Sequence, residues 1–153
     1  MILPQFYTDD IIKRAILEDI NYVDVASDYL ISEEQRDEAY FVSKADGVLC
    51  GIDVAMRVFE LLDDSFTAKV YMHDGDKVKK GDLIAEFSGK TTLLLKGERT
   101  ALNLLQHMSG IATATAKAVK LCEGTKASIA DTRKTRPSLR ALQKYAVTCG
   151  GGK

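Results

Sequence analysis

Cysteine, proline and histidine are scarce in this chain of 153 residues: it has three, two and two of them, beside 7% aromatics. Cys50, Cys122 and Cys149 are odd in number and far apart, with no metal-ligand spacing. Buried or incidental thiols fit them better than disulfides or a zinc site. Neither His73 nor His107 has a second histidine at ligand spacing, so no metal ion and no acid–base step is assigned to them. Two prolines against 11 glycines leave no room for a low-complexity linker. No apolar run approaches the roughly 20 residues of a membrane helix, and the acidic opening Thr8-Asp9-Asp10 is unlike a secretory or transit peptide. The reading is a cytoplasmic chain with no membrane partner. Its length excludes a complete eight-stranded barrel, which takes about 250 residues. A composition of 46% hydrophobic and 28% charged residues is enough for one good core.

Charge is present but unevenly placed. The net of -1 hides an acidic stretch, residues 1–90, with 10 Lys and Arg against 19 Asp and Glu, and a basic stretch, 91–153, with 11 against 3. Such asymmetry suggests an acidic scaffold followed by a segment built to meet anions. Nucleic acid is disfavoured, because after Phe87 the only aromatic is Tyr145 and phosphate tracking usually brings interleaved aromatics or a whole basic face. The sharpest feature is Ser128-Ile129-Ala130-Asp131-Thr132-Arg133-Lys134-Thr135, followed by Arg136 and Arg140: an apolar strand ending in a cationic loop. Clustered cations repel one another unless an anion sits among them, so the loop reads as a site for carboxylates or phosphates.

Periodicity places the elements. Thr8 or Asp9 is expected to cap a helix whose Ile11, Ile12, Ala15, Ile16 and Ile20 share one face. Residues 21–32 read as irregular, with Asp24 and Asp28 on a solvated face. Strands are expected at 38–44, 66–72 and 83–87, with turns at Asp46-Gly47 and His73-Asp74-Gly75-Asp76, and a helix over 53–62. An apolar run over 92–95 leads into Gly97, where the character changes. Beyond it come helices over 98–108 and 111–121 joined at Ser109-Gly110, a buried strand over 126–130, and a helix over 138–148. Ala and Thr crowd positions 112–116, which suits close packing. Gly150-Gly151-Gly152 either cradles phosphate or ends that helix. Strand, charged loop and helix make one β/α unit, and such units place charged side chains at the carboxyl end of a sheet or barrel.

Four ordered motifs then carry a resemblance. Glu98-Arg99-Thr100-Ala101-Leu102-Asn103-Leu104-Leu105-Gln106, Ser109-Gly110-Ile111-Ala112-Thr113, Asp131-Thr132-Arg133-Lys134-Thr135 and Lys144-Tyr145-Ala146-Val147-Thr148-Cys149-Gly150-Gly151-Gly152 closely resemble the quinolinate phosphoribosyltransferases, or carboxylating nicotinate-nucleotide pyrophosphorylases. The resemblance implies an α+β fold. An amino-terminal α/β sandwich domain, with a barrel-sandwich-like sheet and helices, would occupy 1–96. The start of an incomplete β/α barrel would occupy 97–153. The implied reaction converts quinolinate and phosphoribosyl pyrophosphate to nicotinate mononucleotide, pyrophosphate and carbon dioxide, with Mg2+ bound alongside the donor by ligands beyond this chain.

By motif, Arg133 and Lys134 would hold substrate carboxylate and stabilise charge, Thr132 would add a hydrogen bond, and Arg99 would reach into the other subunit of a homodimer. Arg136 and Arg140 read as structural or helix-surface charges. Ser138 stands where the family usually has Gly, and as a good cap it suits a helix start. The family continues past the position of Lys153, so these 153 residues are expected to turn nothing over by themselves. Residues after about 125 are expected to be disordered or held by another chain. Two rivals remain: a molybdenum-associated paralogue of the same family, and a biotinyl or lipoyl carrier, because residues 74–85 look like a carrier hairpin with Lys90 as the nearest modifiable lysine.

Overall fold

In the computed structural model, which describes residues 3–20 and 25–153, the chain is organised around one long helix. The element order is α1 (Gln5–Asp19), α2 (Val25–Leu30), β1 (Arg36–Val42), β2 (Gly47–Val48), α3 (Ile52–Glu60), β3 (Thr67–Val70), β4 (Lys77–Val78), β5 (Leu83–Lys90), α4 (Thr91–Leu121) and α5 (Arg140–Cys149). The fold is α+β: a small antiparallel sandwich with helices, then a loop and helix, α5, where the first β/α unit of a barrel is expected.

Three strands form an antiparallel sheet in the order β1-β5-β3, and β2 pairs with β4 in a second, two-stranded sheet. Register puts Ala39 opposite Phe87 and Phe41 opposite Ala85, so one face alternates large and small apolar side chains while Tyr40 and Glu86 face outward. Phe41 and Phe87 meet edge to face at 4.9 Å, and Phe59 of α3 stacks on Phe87 at 5.0 Å and on Phe66 at 5.3 Å. This aromatic cluster is the centre of the amino-terminal core, where ring packing adds to simple burial. At its edge the buried Asp63 accepts from the Ser65 amide and hydroxyl and from the Lys90 amide, pinning the end of β5 where α4 begins. Burial works to raise its carboxyl, but these hydrogen bonds outweigh it and hold the group below the usual carboxylate range.

The 31 residues of α4 extend about 46 Å at the usual rise of about 1.5 Å per residue. Leu94, Gly97, Ala101, Leu104, Leu105, Met108, Ala112 and Thr115 make its buried stripe, a spacing of three and four that suits one continuous helix. The expected break at Ser109-Gly110 is therefore absent, and the run over 92–95 is the helix's first turn. Ser109 is small and polar for another reason. Its hydroxyl accepts from the Cys50 amide at 2.9 Å and donates to the Cys50 carbonyl, and Thr113, one turn on, accepts from the Val48 amide at 2.9 Å. The segment 48–50 hydrogen-bonds to the helix flank as it would to a strand.

Other expectations shift in informative ways. Helix α1 begins at Gln5, so Thr8 lies inside it, buried, with its hydroxyl donating to the Gln5 carbonyl. Asp9 forms a two-pronged pair with Arg57 of α3 at 2.9 Å, and that hydrogen bonding holds its carboxyl below the usual range. A short helix, α2, occupies part of the stretch read as irregular, and Asp28 within it pairs with Lys96 of α4 instead of facing only solvent. Asn21 and Asp24 lie outside the described residues. Lys90 closes β5 at the α4 junction, its amide bonded to Asp63, unlike a lysine presented on a carrier turn.

The segment 126–130 is not a buried strand: among the described residues it joins no sheet, and of these five only Ile129 is half-buried. One parallel pairing exists, in which the Lys153 amide donates to the Ile129 carbonyl at 2.9 Å and the Asp131 amide to the Lys153 carbonyl at 2.8 Å. Within this chain the region has contacts of its own. Helix α5 seats Leu142 and Ala146 in the core against α4. Ser138 adopts φ +64° and Leu139 takes the cap position, with no side-chain cap bond, so the position favours glycine for its backbone and Ser138 does not cap.

Two measurements test these assignments. A Cβ at Gly97 would sit 2.8 Å from the Phe59 ring, so Gly97→Ala should destabilise the chain by about 1–3 kcal/mol through overpacking, despite a helix-propensity gain of about 1 kcal/mol. Urea unfolding that shows a gain refutes the close approach. Ser138→Gly should stabilise by about 0.5–1 kcal/mol, because relief of roughly 1–2 kcal/mol of left-handed strain exceeds the extra unfolded-chain entropy. An unchanged midpoint refutes it.

Candidate active site

Helix α5 fixes the cationic loop from below. Lys144 bonds both carboxylate oxygens of Asp131, at 2.7 and 2.8 Å. Arg140 donates to the Thr135 hydroxyl at 3.1 Å and to the Arg133 carbonyl at 3.5 Å, and Gln143 accepts from the Arg136 amide at 2.9 Å. Three residues within one and a half turns of α5 thus hold the beginning, middle and end of 131–136. Inside the loop, the Lys134 amide donates to the Thr132 hydroxyl and the Thr135 amide to the Arg133 carbonyl, a tight local turn of the kind Thr side chains favour.

This scaffold leaves the expected ligands outward. Thr132, Arg133 and Lys134 are all exposed. Among the described residues neither the Arg133 guanidinium nor the Lys134 ammonium has a hydrogen-bond or ion-pair partner, whereas Arg57, Lys96, Arg99 and Lys144 are each paired with an acid. Two adjacent cations without counter-charge raise the local positive potential, and a guanidinium offers the forked geometry a carboxylate matches. The loop has no place for Mg2+: Asp131 is the sole acid from 126 onward, and Lys144 occupies it.

Behind the loop, Gln143 bridges to α4. Its amide nitrogen lies 2.9 Å from His107 Nε2 while its oxygen takes the Arg136 amide. The oxygen's acceptor role fixes the amide orientation, so His107 Nε2 must accept, and the imidazole is neutral with its proton on Nδ1. Burial, and then the Arg136 charge, hold His107 below its ordinary value. Sequence reasoning assigned His107 nothing and passed over Gln143 and Lys144; no spacing rule links them to the loop, although Lys144 stands in one of the four motifs.

Arg99 is not brought to this loop within the chain. It lies on α4, 72% exposed, and donates to Asp19 of α1 at 2.8 Å. Nor do the three glycines cradle phosphate: the Gly150, Gly151 and Gly152 amides bond to carbonyls of Ala146, Thr148 and Val147. They close α5, and Gly150 does so where a Cβ would stand 2.4 Å from the Ala112 carbonyl oxygen. The crowd of Ala and Thr on α4 is indeed a close-packing face. A groove of about 600 Å3 opens elsewhere, between α1, α3 and β3, and is lined in part by Arg57, Phe66, Asp74 and Tyr145. Burial, with the nearby Asp74 carboxylate adding to it, pushes the Tyr145 phenol up, and burial likewise pushes the Cys50 thiol up.

Known proteins share this sequence and arrangement. Residues 24–109 match the family described as quinolinate phosphoribosyl transferase, N-terminal domain, and residues 111–153 match its C-terminal domain. A probable nicotinate-nucleotide pyrophosphorylase (carboxylating) of Bacillus subtilis is 43% identical over 142 residues, covering 93% of this chain and 49% of that protein. The corresponding Mycobacterium leprae protein is 42% identical over 149 residues, covering 94% and 51%. The crystal structure of NadC from Streptococcus pyogenes superposes with a TM-score of 0.95 at 40% identity, over 99% of this chain and 54% of that one. The chain spans about half the length of the curated relatives it matches, and it belongs to the quinolinate phosphoribosyltransferase family.

Proposed function

We propose that the protein of which this chain supplies the sequence transfers a phosphoribosyl group from phosphoribosyl pyrophosphate to quinolinate and decarboxylates the adduct. The products are nicotinate mononucleotide, pyrophosphate and carbon dioxide, a step of NAD biosynthesis. The observation that carries this reading is the unpaired Arg133–Lys134 couple, held outward by α5 in a chain of this family. Quinolinate is a dianion and the donor is more negative still, so both need cations that no protein acid has already neutralised.

Arg133 and Lys134 grip a pyridine carboxylate and orient the ring nitrogen toward the anomeric carbon. Thr132 contributes its hydroxyl, whose oxygen already accepts from the Lys134 amide and whose proton remains to be donated. The nitrogen–carbon bond forms as the bond to pyrophosphate breaks, through an oxocarbenium-like transition state. The carboxylate next to the now cationic nitrogen then leaves as carbon dioxide, its bonding electrons stay on the ring carbon, and a proton replaces it there. The Mg2+ that the family implies would be held by residues beyond this chain and would neutralise charge on the donor's phosphates. Arg99, projecting from α4 and steadied by Asp19, serves the site of a second copy, which makes the working unit a homodimer. No helix among the described residues is long and apolar enough to cross a membrane, and the proposed setting is the cytoplasm.

The complete gene product tests this. Arg133→Ala should lower kcat/KM and quinolinate affinity by at least about a hundredfold, the cost of removing one partner of a charge-assisted carboxylate contact. Mixed Arg99→Ala and Arg133→Ala subunits should recover carbon dioxide release that neither variant shows alone. Undiminished release by Arg133→Ala sinks the assignment, and no recovery on mixing sinks the role of Arg99 across the interface.

The hold on the loop should also depend on pH. Because the folded His107 value lies below its ordinary 6.5, the unfolded chain binds the proton first as pH falls. The stabilisation is therefore complete above that value and is lost as pH drops through the folded value. Imidazolium would set an N–H against the Gln143 amide group. His107→Gln keeps an acceptor there without titrating, so its melting temperature should fall less than the parent's between about pH 7 and pH 5. Identical pH profiles contradict the assigned tautomer.

A further inference from the structure

We propose that Cys50, Asp74 and Cys149 form a binding site for a borderline-soft divalent cation of the Zn2+ class. The three residues come from the residue before α3's cap, the turn between β3 and β4, and the end of α5. Their two sulfurs and a carboxylate oxygen all lie within 4.8 Å of one another. In a tetrahedral Zn2+ site, with Zn–S of about 2.3 Å and Zn–O of about 2.0–2.2 Å, neighbouring ligand atoms stand roughly 3.5–3.8 Å apart. Binding therefore requires the three atoms to draw together from separations of up to 4.8 Å.

The groups around these atoms are arranged as an outer shell. Asp74 Oδ1 accepts from the Gly51 amide at 2.8 Å and the Ile52 amide at 2.9 Å. The carboxylate is thereby oriented, and the Tyr145 phenol packs against both Asp74 and Cys149. Ser109 holds the Cys50 main chain through both its amide and its carbonyl. Such bonds to the ligands' own frames are what tune natural metal sites. Cys50 is fully buried and Cys149 half-buried, while Asp74 and Tyr145 line the 600 Å3 groove. An ion would take three protein ligands from the core side and leave a fourth position for water or the Tyr145 hydroxyl. Two sulfurs in the set select Zn2+ or Cd2+ over Mg2+ and Ca2+, which prefer oxygen. Binding exchanges the two thiol protons to solvent, and the ion's two positive charges meet two thiolates and one carboxylate. The α3 amino terminus adds positive potential here, and its first amides bond Asp74.

This site is independent of the proposed catalytic loop, and it ties the start of α3 to the end of α5. The test uses the whole chain with Cys122→Ser, so that only the two thiols in question remain, kept reduced and freed of metal. Cd2+ titration should give a thiolate-to-metal charge-transfer band saturating at one ion per chain, and Zn2+ should show the same stoichiometry by calorimetry with elemental analysis. Cys149→Ser should abolish the band and weaken Zn2+ by at least a hundredfold, with circular dichroism confirming the fold, and Asp74→Asn should weaken it about tenfold. Failure of the parent protein to bind one ion per chain overturns the proposal without any variant. Equal binding by Cys149→Ser overturns it as well, since the ion then sits elsewhere.

Discussion

The structure depends on how closely α4 can be approached. Its buried stripe carries Gly97, Ala112 and Thr115 among larger residues, and each of these three receives something closely packed. The Phe59 ring lies against Gly97, and Gly150 and Gly152 of the α5 terminus lie against Ala112 and Thr115. Interiors are packed near crystal density, so one added methyl group at such points displaces an aromatic ring or a backbone. The same helix therefore serves as wall for the amino-terminal sandwich and as seat for α5. The cationic loop inherits its position from that seat.

Electrostatics follows the same division. In the acidic stretch the carboxylates also serve cations of the scaffold: Arg57 lies between Asp9 and Glu60, and from α4 Lys96 meets Asp28 and Arg99 meets Asp19. These pairs join elements across the scaffold and contribute little individually where exposed. In the basic stretch Lys144 takes the one nearby acid, Asp131. A deficit of carboxylates over 91–153 is thus what leaves Arg133 and Lys134 unsatisfied, and a positive potential that is not compensated internally attracts anions from solvent. The uneven charge along the sequence and the unpaired loop are one fact at two scales.

Much of this was legible in the residues. The turn at 73–76, the strands of the main sheet, the amphipathic pattern of α3 and the loop itself follow from local rules that act over a few residues. What stayed hidden depends on distant partners. Ser109-Gly110 has the composition of a break, yet the helix continues because Ser109 and Thr113 bond the backbone of 48–50, sixty residues away. Thr8 and Asp9 look like caps, but Arg57 recruits Asp9 and the helix starts earlier. Ser138 looks like a cap too, and its positive φ shows that the backbone, not the hydroxyl, decides that position. Cys50 and Cys149 appear unrelated until α5 folds back on α4.

The segment 126–130 makes the limit of local reasoning clearest. Its apolar content is that of a strand covered on both faces, as parallel strands in α/β folds are, but here it is mostly exposed and its ladder is the single parallel pairing through Lys153. Strand-forming potential does not produce a strand without neighbours to accept its hydrogen bonds. The loop that follows is nonetheless fixed, because its bonds go to α5 and, through Gln143 and His107, to α4, not to a sheet. The order at Arg133 and Lys134 is a property of helix–loop hydrogen bonding. Those bonds lie within the same short unit that carries the motif.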